Sequence, residues 1–177
     1  MKVMVAGAWD ESDEKILDVA VKLGEELSRR GIIVITGGGK GTPYAVNRGV
    51  QNEKGLSIAY ISTSKESDLD HEENSIVTGS IYTEMGWDGR SVLAVKNSDA
   101  LIVLGGANGT LNEITLAYLN KIPIYILKNS SELITRLEGM LIEKKFIDKR
   151  KNVPICFFEN IDILLDVLIR LKEKKNE

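Results

Sequence analysis

Short runs of Val, Ile and Leu alternate with helical patterns along the whole sequence. The runs are continuous apolar stretches, a pattern typical of strands that are buried on both faces of a parallel sheet. Helices, whose apolar residues recur every three or four positions, separate them. The alternation predicts an α/β fold, with a doubly wound and mainly parallel sheet of about seven strands and helices on both faces. The predicted strands are 2–7, 32–36, 56–62, 75–79, 100–104, 122–127 and 153–158.

The length and charge of the chain restrict its organisation. We expect residues 1–171 to form one domain and the lysine-rich residues 172–177 to form a solvated tail, since 177 residues bury one good core. A net charge of −3 argues against nonspecific binding to nucleic acid or to an acidic membrane. The single cysteine, Cys156, has no intramolecular disulfide partner. With no signal-like or membrane-spanning run, these features favour the cytoplasm.

Residues 63–74, "TSKESDLDHEEN", carry no apolar pattern and are expected to form an exposed loop. His71, the one histidine, lies among carboxylates there. Because no Cys or second His stands at a metal-ligand spacing, a solvated loop is the better interpretation and no metal site is predicted. A helix is expected over residues 130–145, which carry apolar residues at helical intervals.

Two glycine-rich turns follow predicted strands and precede predicted helices. Carboxyl ends of parallel strands share one edge of the sheet, so both turns should lie together. Glycines there leave backbone N–H groups open to a phosphate, although they also simply make tight turns. Thr42 and Pro43 are expected at the N-cap and first position of a helix. The candidate phosphate-binding residues are Gly37, Gly38, Gly39, Gly41 and Thr42 in the first turn, and Gly105, Gly106, Gly109 and Thr110 in the second.

Neither turn matches the best-known nucleotide motifs. The dinucleotide fingerprint G-x-G-x-x-G should follow the first strand, where this chain has "VAGAWDES". The P-loop ends in G-K-[ST], but Lys40 is followed by glycine. Hydride transfer and nucleoside triphosphate hydrolysis are therefore poor fits.

The segments "TGGGKGTPYAVNRG" and "SDALIVLGGANGTLNEI" resemble the LOG (LONELY GUY) family, often labelled "possible lysine decarboxylase". The family motif is P-G-G-x-G-T-x-x-E, preceded by an Arg-Lys pair, and the resemblance extends from residue 1 to about residue 127. It implies a Rossmann-like nucleotide-binding domain that assembles as a homodimer or higher homo-oligomer. It also implies a phosphoribohydrolase, which cleaves the N-glycosidic bond of nucleoside 5′-monophosphates and requires no cofactor.

The resemblance assigns roles to individual residues. Arg90 and Glu113 would be the catalytic pair, and Gly106, Gly109 and Thr110 would hold the 5′-phosphate. A decarboxylase would need a lysine that forms a Schiff base with pyridoxal phosphate, and no lysine here has a recognisable context for one.

Three positions depart from the LOG motif. Gly105 replaces its proline, Ala107 its second glycine, and Ser91 the lysine after the arginine. The segment "NSIVTG" and the Gly105–Gly106 pair resemble more closely a sister branch that includes molybdenum-cofactor carrier proteins. The alternative function is therefore a non-catalytic binder or carrier of a phosphorylated small molecule, with a nucleotide monophosphate or molybdopterin as its ligand.

The residue chemistry leaves some roles open. Thr110 and Glu113 also fit a capping box, in which the glutamate would stabilise only the helix start and the helix dipole would keep it anionic. Arg90 is suited to orienting substrate or stabilising charge rather than to donating a proton. Trp9 is expected either to stack on a ligand ring or to pack at the rim. Lys40 is expected either to pair with phosphate or to face solvent.

Overall fold

The computed structural model describes residues 1–176, with side chains described through residue 173. Seven strands alternate with seven helices in this range, and all the strand pairs are parallel. The sheet order is β4-β3-β2-β1-β5-β6-β7, which confirms the predicted doubly wound α/β fold. The elements are β1 (Lys2–Gly7), α1 (Glu14–Arg29), β2 (Ile33–Thr36), α2 (Gly41–Asn52), β3 (Ser57–Ile61), α3 (His71–Asn74), β4 (Gly79–Tyr82), α4 (Gly86–Lys96), β5 (Ala100–Leu104), α5 (Asn108–Leu119), β6 (Ile124–Leu127), α6 (Glu132–Met140), β7 (Ile155–Phe158) and α7 (Ile161–Asn176).

The chain reverses its direction of winding between β1 and β5. Strands β2, β3 and β4 extend the sheet on one side of β1, and β5, β6 and β7 extend it on the other. The register pairs Val3 with Ala100 and Gly7 with Leu104, so β1 and β5 end side by side. The loops that follow them diverge and leave a crevice at this point, where doubly wound proteins bind ligands.

Each face of the sheet has its own apolar core. Val3 and Val5 face the core shared with α1, α2 and α7, while Met4 and Ala6 face the core shared with α4, α5 and α6. All five residues of β5 are 0% exposed. Burial on both faces explains why the strand sequences are continuously apolar.

Helices α1 and α2 touch through two glycines. A Cβ on Gly24 would lie 2.1 Å from the Val46 carbonyl oxygen, and one on Gly49 would lie 2.0 Å from the Val21 carbonyl oxygen. Real Cβ atoms do not approach other atoms so closely, so both positions need glycine. The two backbones are therefore in direct contact.

Two elements have a boundary more than two residues from the predicted one. The fourth strand is Gly79–Tyr82 rather than 75–79, because Thr78 Oγ1 accepts a hydrogen bond from the Ser57 N–H just before the strand ladder begins. The helix predicted over 130–145 ends at Met140, because the chain turns back to form an antiparallel bridge between Ile142 and Phe146.

The carboxyl-terminal helix α7 continues to Asn176, so residues 172–176, which were predicted to form a solvated tail, have helical backbone. Lys172 Nζ donates a hydrogen bond to the Arg30 carbonyl oxygen, which places that side chain against the domain. Residue 177 of the predicted tail lies outside the described residues. Among the helices of residues 1–176, none combines the length and apolar character needed to cross a membrane.

Candidate functional site

A cavity of about 470 Å³ opens at the carboxyl edge of the sheet, and we call it the main cavity. Its walls come from the turn after β1, the first glycine turn (residues 37–42), the segment from β3 to α3, and the start of α4. The volume is in the range of small-molecule sites. Its lining residues are Trp9, Gly37, Gly38, Gly39, Lys40, Ile61, Ser62, Thr63, Ser67, Asp68, Leu69, Asp70, Asn74 and Trp87.

The first glycine turn lies at the cavity as predicted, but two of its N–H groups already have partners within the protein. Gly38 and Gly39 have φ values of 70° and 80°, in the region that favours glycine. The Gly38 N–H donates to Thr36 Oγ1 at 3.2 Å, and the Gly39 N–H donates to Asn74 Oδ1 at 2.7 Å. A phosphate would have to displace Asn74 to use the Gly39 donor. In this conformation the turn mainly positions side chains.

Thr42 has a different position from the predicted one. Helix α2 begins at Gly41 with Lys40 as its N-cap, so Thr42 and Pro43 lie within the first turn of the helix. The Thr42 N–H donates to the Ala8 carbonyl oxygen at 2.9 Å. Its hydroxyl is buried without a hydrogen-bond partner among the described residues. Thr42 therefore connects α2 to the end of β1.

Arg90 and Glu113 meet in a small inner recess of about 30 Å³ beside the main cavity. Arg90 Nη1 lies 3.6 Å from Glu113 Oε1, and the two side chains are only 11% and 7% exposed. Arg90 Nε and Nη1 are buried and form no hydrogen bond within the described part of the chain. A Cβ on Gly37 would lie 1.9 Å from Arg90 Nη1, so this glycine leaves the space that the guanidinium fills. The recess holds a cation with unused donors.

Glu113 does not form the capping box that its spacing allows. Helix α5 begins at Asn108 and its N-cap is Ala107, with no side-chain cap, so Thr110 is already the third helical residue. The positive φ values of Gly105 and Gly106, 72° and 93°, turn the chain into the helix earlier than predicted. The Glu113 carboxylate instead accepts a hydrogen bond from Ser91 Oγ at 3.1 Å. The capping alternative is therefore wrong.

Burial controls the electrostatics of the recess. It raises the pKa of the Glu113 carboxyl, and the Arg90 charge and the Ser91 hydrogen bond oppose that rise. The expectation that the helix dipole would keep Glu113 anionic omitted this larger effect. Burial likewise lowers the pKa of Arg90, and Glu113 opposes it.

The second glycine turn (residues 105–110) lies at the same edge but does not line the main cavity. The Gly105 N–H donates to Ser130 Oγ at 2.8 Å, and a Cβ on Gly106 would collide with Thr110 Oγ1 at 1.9 Å. Gly109 is exposed and has open space around it. Both turns therefore lie at the same edge of the sheet, as predicted, but the second turn lies outside the main cavity.

Two tryptophans flank the main cavity. Trp9 is 43% exposed and Trp87 is 63% exposed, and both also line the inner recess. Lys40 Nζ lies 5.8 Å from a Trp9 ring centroid, and Arg90 Cζ lies 5.7 Å from a Trp87 ring centroid, as in cation–π pairs. The role of Trp87 was missed from the sequence. Its position three residues before Arg90 was the available signal, because such residues share a helix face.

The loop of residues 63–74, predicted to be only an exposed loop, forms one wall of the cavity; we call it the acidic loop. Asp70 Oδ2 accepts a hydrogen bond from Trp9 Nε1 at 2.8 Å, and Asn74 is only 5% exposed. Lys40 Nζ lies 3.9 Å from Asp70 Oδ1, so this exposed lysine side chain lies beside a carboxylate of the acidic loop. His71 is exposed. Within the described residues, no group of three or more His, Cys, Asp or Glu side chains is placed to hold a metal ion.

The sheet order, and the position of the inner recess between the end of β1 and helix α5 after β5, define a Rossmann-like α/β protein. Within this class the chain belongs to the SLOG cluster4 family, whose family model matches residues 1–154. An uncharacterized protein of Archaeoglobus fulgidus is 35% identical over 117 residues, which are 66% of this chain and 73% of that protein.

Several solved structures share the fold. TM1055 has a TM-score of 0.84 at 23% identity and covers 96% of this chain and 98% of its own. The molybdenum cofactor binding protein of Rippkaea orientalis has a TM-score of 0.76 at 22% identity, with coverages of 96% and 94%. DNA processing protein A of Helicobacter pylori, which binds single-stranded DNA, has a TM-score of 0.74 at 16% identity, with coverages of 96% and 80%. At these identities the likeness shows a common fold, and the specific LOG assignment stays a prediction.

Proposed function

We propose that this protein binds and carries a phosphorylated small molecule that contains a planar heterocyclic ring. The observation that carries the proposal is the Arg90 guanidinium, whose Nε and Nη1 are buried without hydrogen bonds in a recess that adjoins the main cavity. Buried polar donors without partners are rare and costly in proteins, so these donors point to a ligand group. An anion such as phosphate is the natural partner of a guanidinium.

The main cavity suits the rest of such a ligand. Its volume of about 470 Å³ accommodates a mononucleotide or a pterin phosphate. Trp9 and Trp87 are exposed beside the cavity, where a heterocycle can stack on an indole ring. Molybdenum cofactor fits the same arrangement, with its pterin against the tryptophans and its phosphate toward Arg90. The fold shared with the Rippkaea orientalis cofactor-binding protein supports this ligand class.

The Glu113 carboxyl is held by contacts within the protein, which a carrier allows and a phosphoribohydrolase would have to change. The carboxyl is 5% exposed, receives the Ser91 hydrogen bond and faces a recess of about 30 Å³. That volume is on the order of one water molecule, so a phosphate at Arg90 and a ribose at Glu113 would each need the recess to widen.

A phosphoribohydrolase is the second candidate, because the fold brings Arg90 and Glu113 to 3.6 Å, as the LOG resemblance requires. Burial raises the pKa of Glu113, which would suit a general acid that protonates a leaving base. This function needs the recess to widen when substrate binds.

Titration calorimetry with AMP, GMP and a pterin phosphate tests the proposal, with chromatography of each mixture for released base. Arg90→Met should abolish binding, whereas Arg48→Met, which removes the same charge from an exposed position outside the main cavity, should not. Base release that Glu113→Gln abolishes would establish the enzyme instead. Absence of binding by every ligand would overturn both functions.

A further inference from the structure

We propose that Asp70 selects the ligand ring and that the preferred ring presents two adjacent N–H donors, as the 2-amino-4-oxo-pyrimidine edge of guanine and pterin does. This inference rests on the proposed binding function and specifies its ligand. The cavity wall contains a hydrogen-bond acceptor, Asp70, whose capacity the protein uses only in part.

Asp70 has an unused carboxylate oxygen. Its Oδ2 accepts the Trp9 Nε1–H bond at 2.8 Å. Its Oδ1 accepts no hydrogen bond from the described residues, since Lys40 Nζ lies 3.9 Å away and is beyond hydrogen-bond range. The Asp70 side chain is 16% exposed, and the residue lines the main cavity. An ionised carboxylate accepts about four hydrogen bonds, so Asp70 has room for a ligand.

The neighbouring Asp68 carboxylate already accepts hydrogen bonds from residues in and beside the acidic loop. Its Oδ1 accepts from the Asp70 N–H at 3.1 Å, and its Oδ2 accepts from Asn74 Nδ2 at 2.9 Å and Tyr82 Oη at 3.4 Å. Asp68 therefore holds the loop in place, and Asp70 is the carboxylate left to contact a ligand.

The anion-binding and ring-binding groups lie on neighbouring parts of the first glycine turn. A Cβ on Gly37 would meet Arg90 Nη1 at 1.9 Å, and one on Gly39 would meet Asp70 Oδ2 at 2.9 Å. Two residues of chain span at most about 7 Å. The spacing of the two glycines therefore allows one mononucleotide to contact both Arg90 and Asp70.

The charges of Arg90 and Asp70 determine how the ligand is oriented and which ring the site prefers. The cationic recess attracts phosphate, and the Asp70 carboxylate repels it toward Arg90. A ring edge with two parallel N–H donors can bind a carboxylate in the bidentate manner of a guanidinium. Adenine instead presents a ring-nitrogen acceptor beside its amino group and would direct that lone pair at the anion. Guanine and pterin fit this wall, and adenine does not.

Titration of wild-type protein with GMP, IMP and AMP tests the ring preference, and a pterin monophosphate distinguishes the two sources of the same edge. GMP or the pterin should bind about 10- to 100-fold more tightly than AMP, the factor expected for hydrogen bonds to a charged group. IMP, which lacks the 2-amino group, should fall between them. Whichever of GMP and the pterin monophosphate binds more tightly identifies the ring, guanine or pterin, that the site prefers.

Asp70→Asn should remove the preference for GMP without weakening AMP binding, because the anion that faces the adenine lone pair is gone, and retained AMP binding also shows that the variant is folded. Glu72→Gln is the matched control, because Glu72 lies exposed on the same loop and does not line the main cavity. It should leave the order of affinities intact. Equal binding of GMP and AMP by wild-type protein would overturn the role of Asp70 while the binding function stands. Absence of binding by all four ligands would overturn the binding function itself.

Discussion

Replacing Glu113 with glutamine should make the protein more stable at neutral pH, although it removes one partner of a buried ion pair. Burial raises the pKa of Glu113 above its ordinary value of 4.5, so between the unfolded and folded pKa values the folded protein holds a proton that the unfolded chain has released. Stability from this group is therefore fully present below pH 4.5 and is lost as the pH rises toward the folded pKa. Glutamine resembles the protonated carboxyl and has no such loss.

The size of the effect follows from proton linkage. Between the unfolded and folded pKa values of Glu113, the free energy of unfolding of the wild type should fall relative to Glu113→Gln by up to about 1.4 kcal/mol per pH unit. Arg90 opposes the rise in the Glu113 pKa, so Arg90→Met should extend the sloping region to higher pH. The ion pair lacks hydrogen bonds at 3.6 Å, which agrees with a weak net contribution to stability.

Urea denaturation followed by far-UV circular dichroism, at several pH values between about 5 and 8, measures this difference. The free energy of unfolding of Glu113→Gln should increase relative to that of the wild type as the pH rises. Parallel stability curves for the two proteins across this range would refute the reasoning, because they would show that Arg90 and Ser91 offset the burial of the carboxylate completely.

Three further substitutions test the packing around the site. Gly7→Ala should lower the free energy of unfolding by about 1–3 kcal/mol, since its Cβ would lie 2.7 Å from the Leu104 carbonyl oxygen. Gly109→Ala, which has open space in an exposed helical turn, should raise it by about 0.5–1 kcal/mol, and the opposite order in urea titrations would contradict both assignments. Asn74→Ala should cost about 1–3 kcal/mol and speed hydrogen exchange of the Gly39 amide; unchanged exchange would show that this bond does not hold the turn.

The sequence was informative about the fold because local patterns report burial on both faces of the sheet. The strand over residues 100–104 was predicted with its observed bounds, since all five of its residues are apolar and fully buried. The strand at Gly79–Tyr82 was misplaced because it is the edge strand of the sheet and Ile81 is exposed. Half-exposed edges carry a weak apolar pattern.

The candidate site was predicted only in part. The LOG resemblance named Arg90 and Glu113, which the fold brings together. The cavity wall was missed because its bonds join residues distant in sequence, 61 positions apart for Trp9 and Asp70 and 35 for Gly39 and Asn74. Spacing motifs describe neighbours along the chain and are silent about such contacts.

The backbone contacts that α1 and α2 make at Gly24 and Gly49 affect the other end of α2. Because the two helices already touch backbone to backbone, α2 cannot move closer to α1, and any added side chain would wedge it outward. The same helix begins at Gly41, directly after Lys40 in the cavity wall. The close contact therefore fixes the position of α2 against α1, and a methyl group added at either glycine should displace α2 and with it Lys40 in the cavity wall.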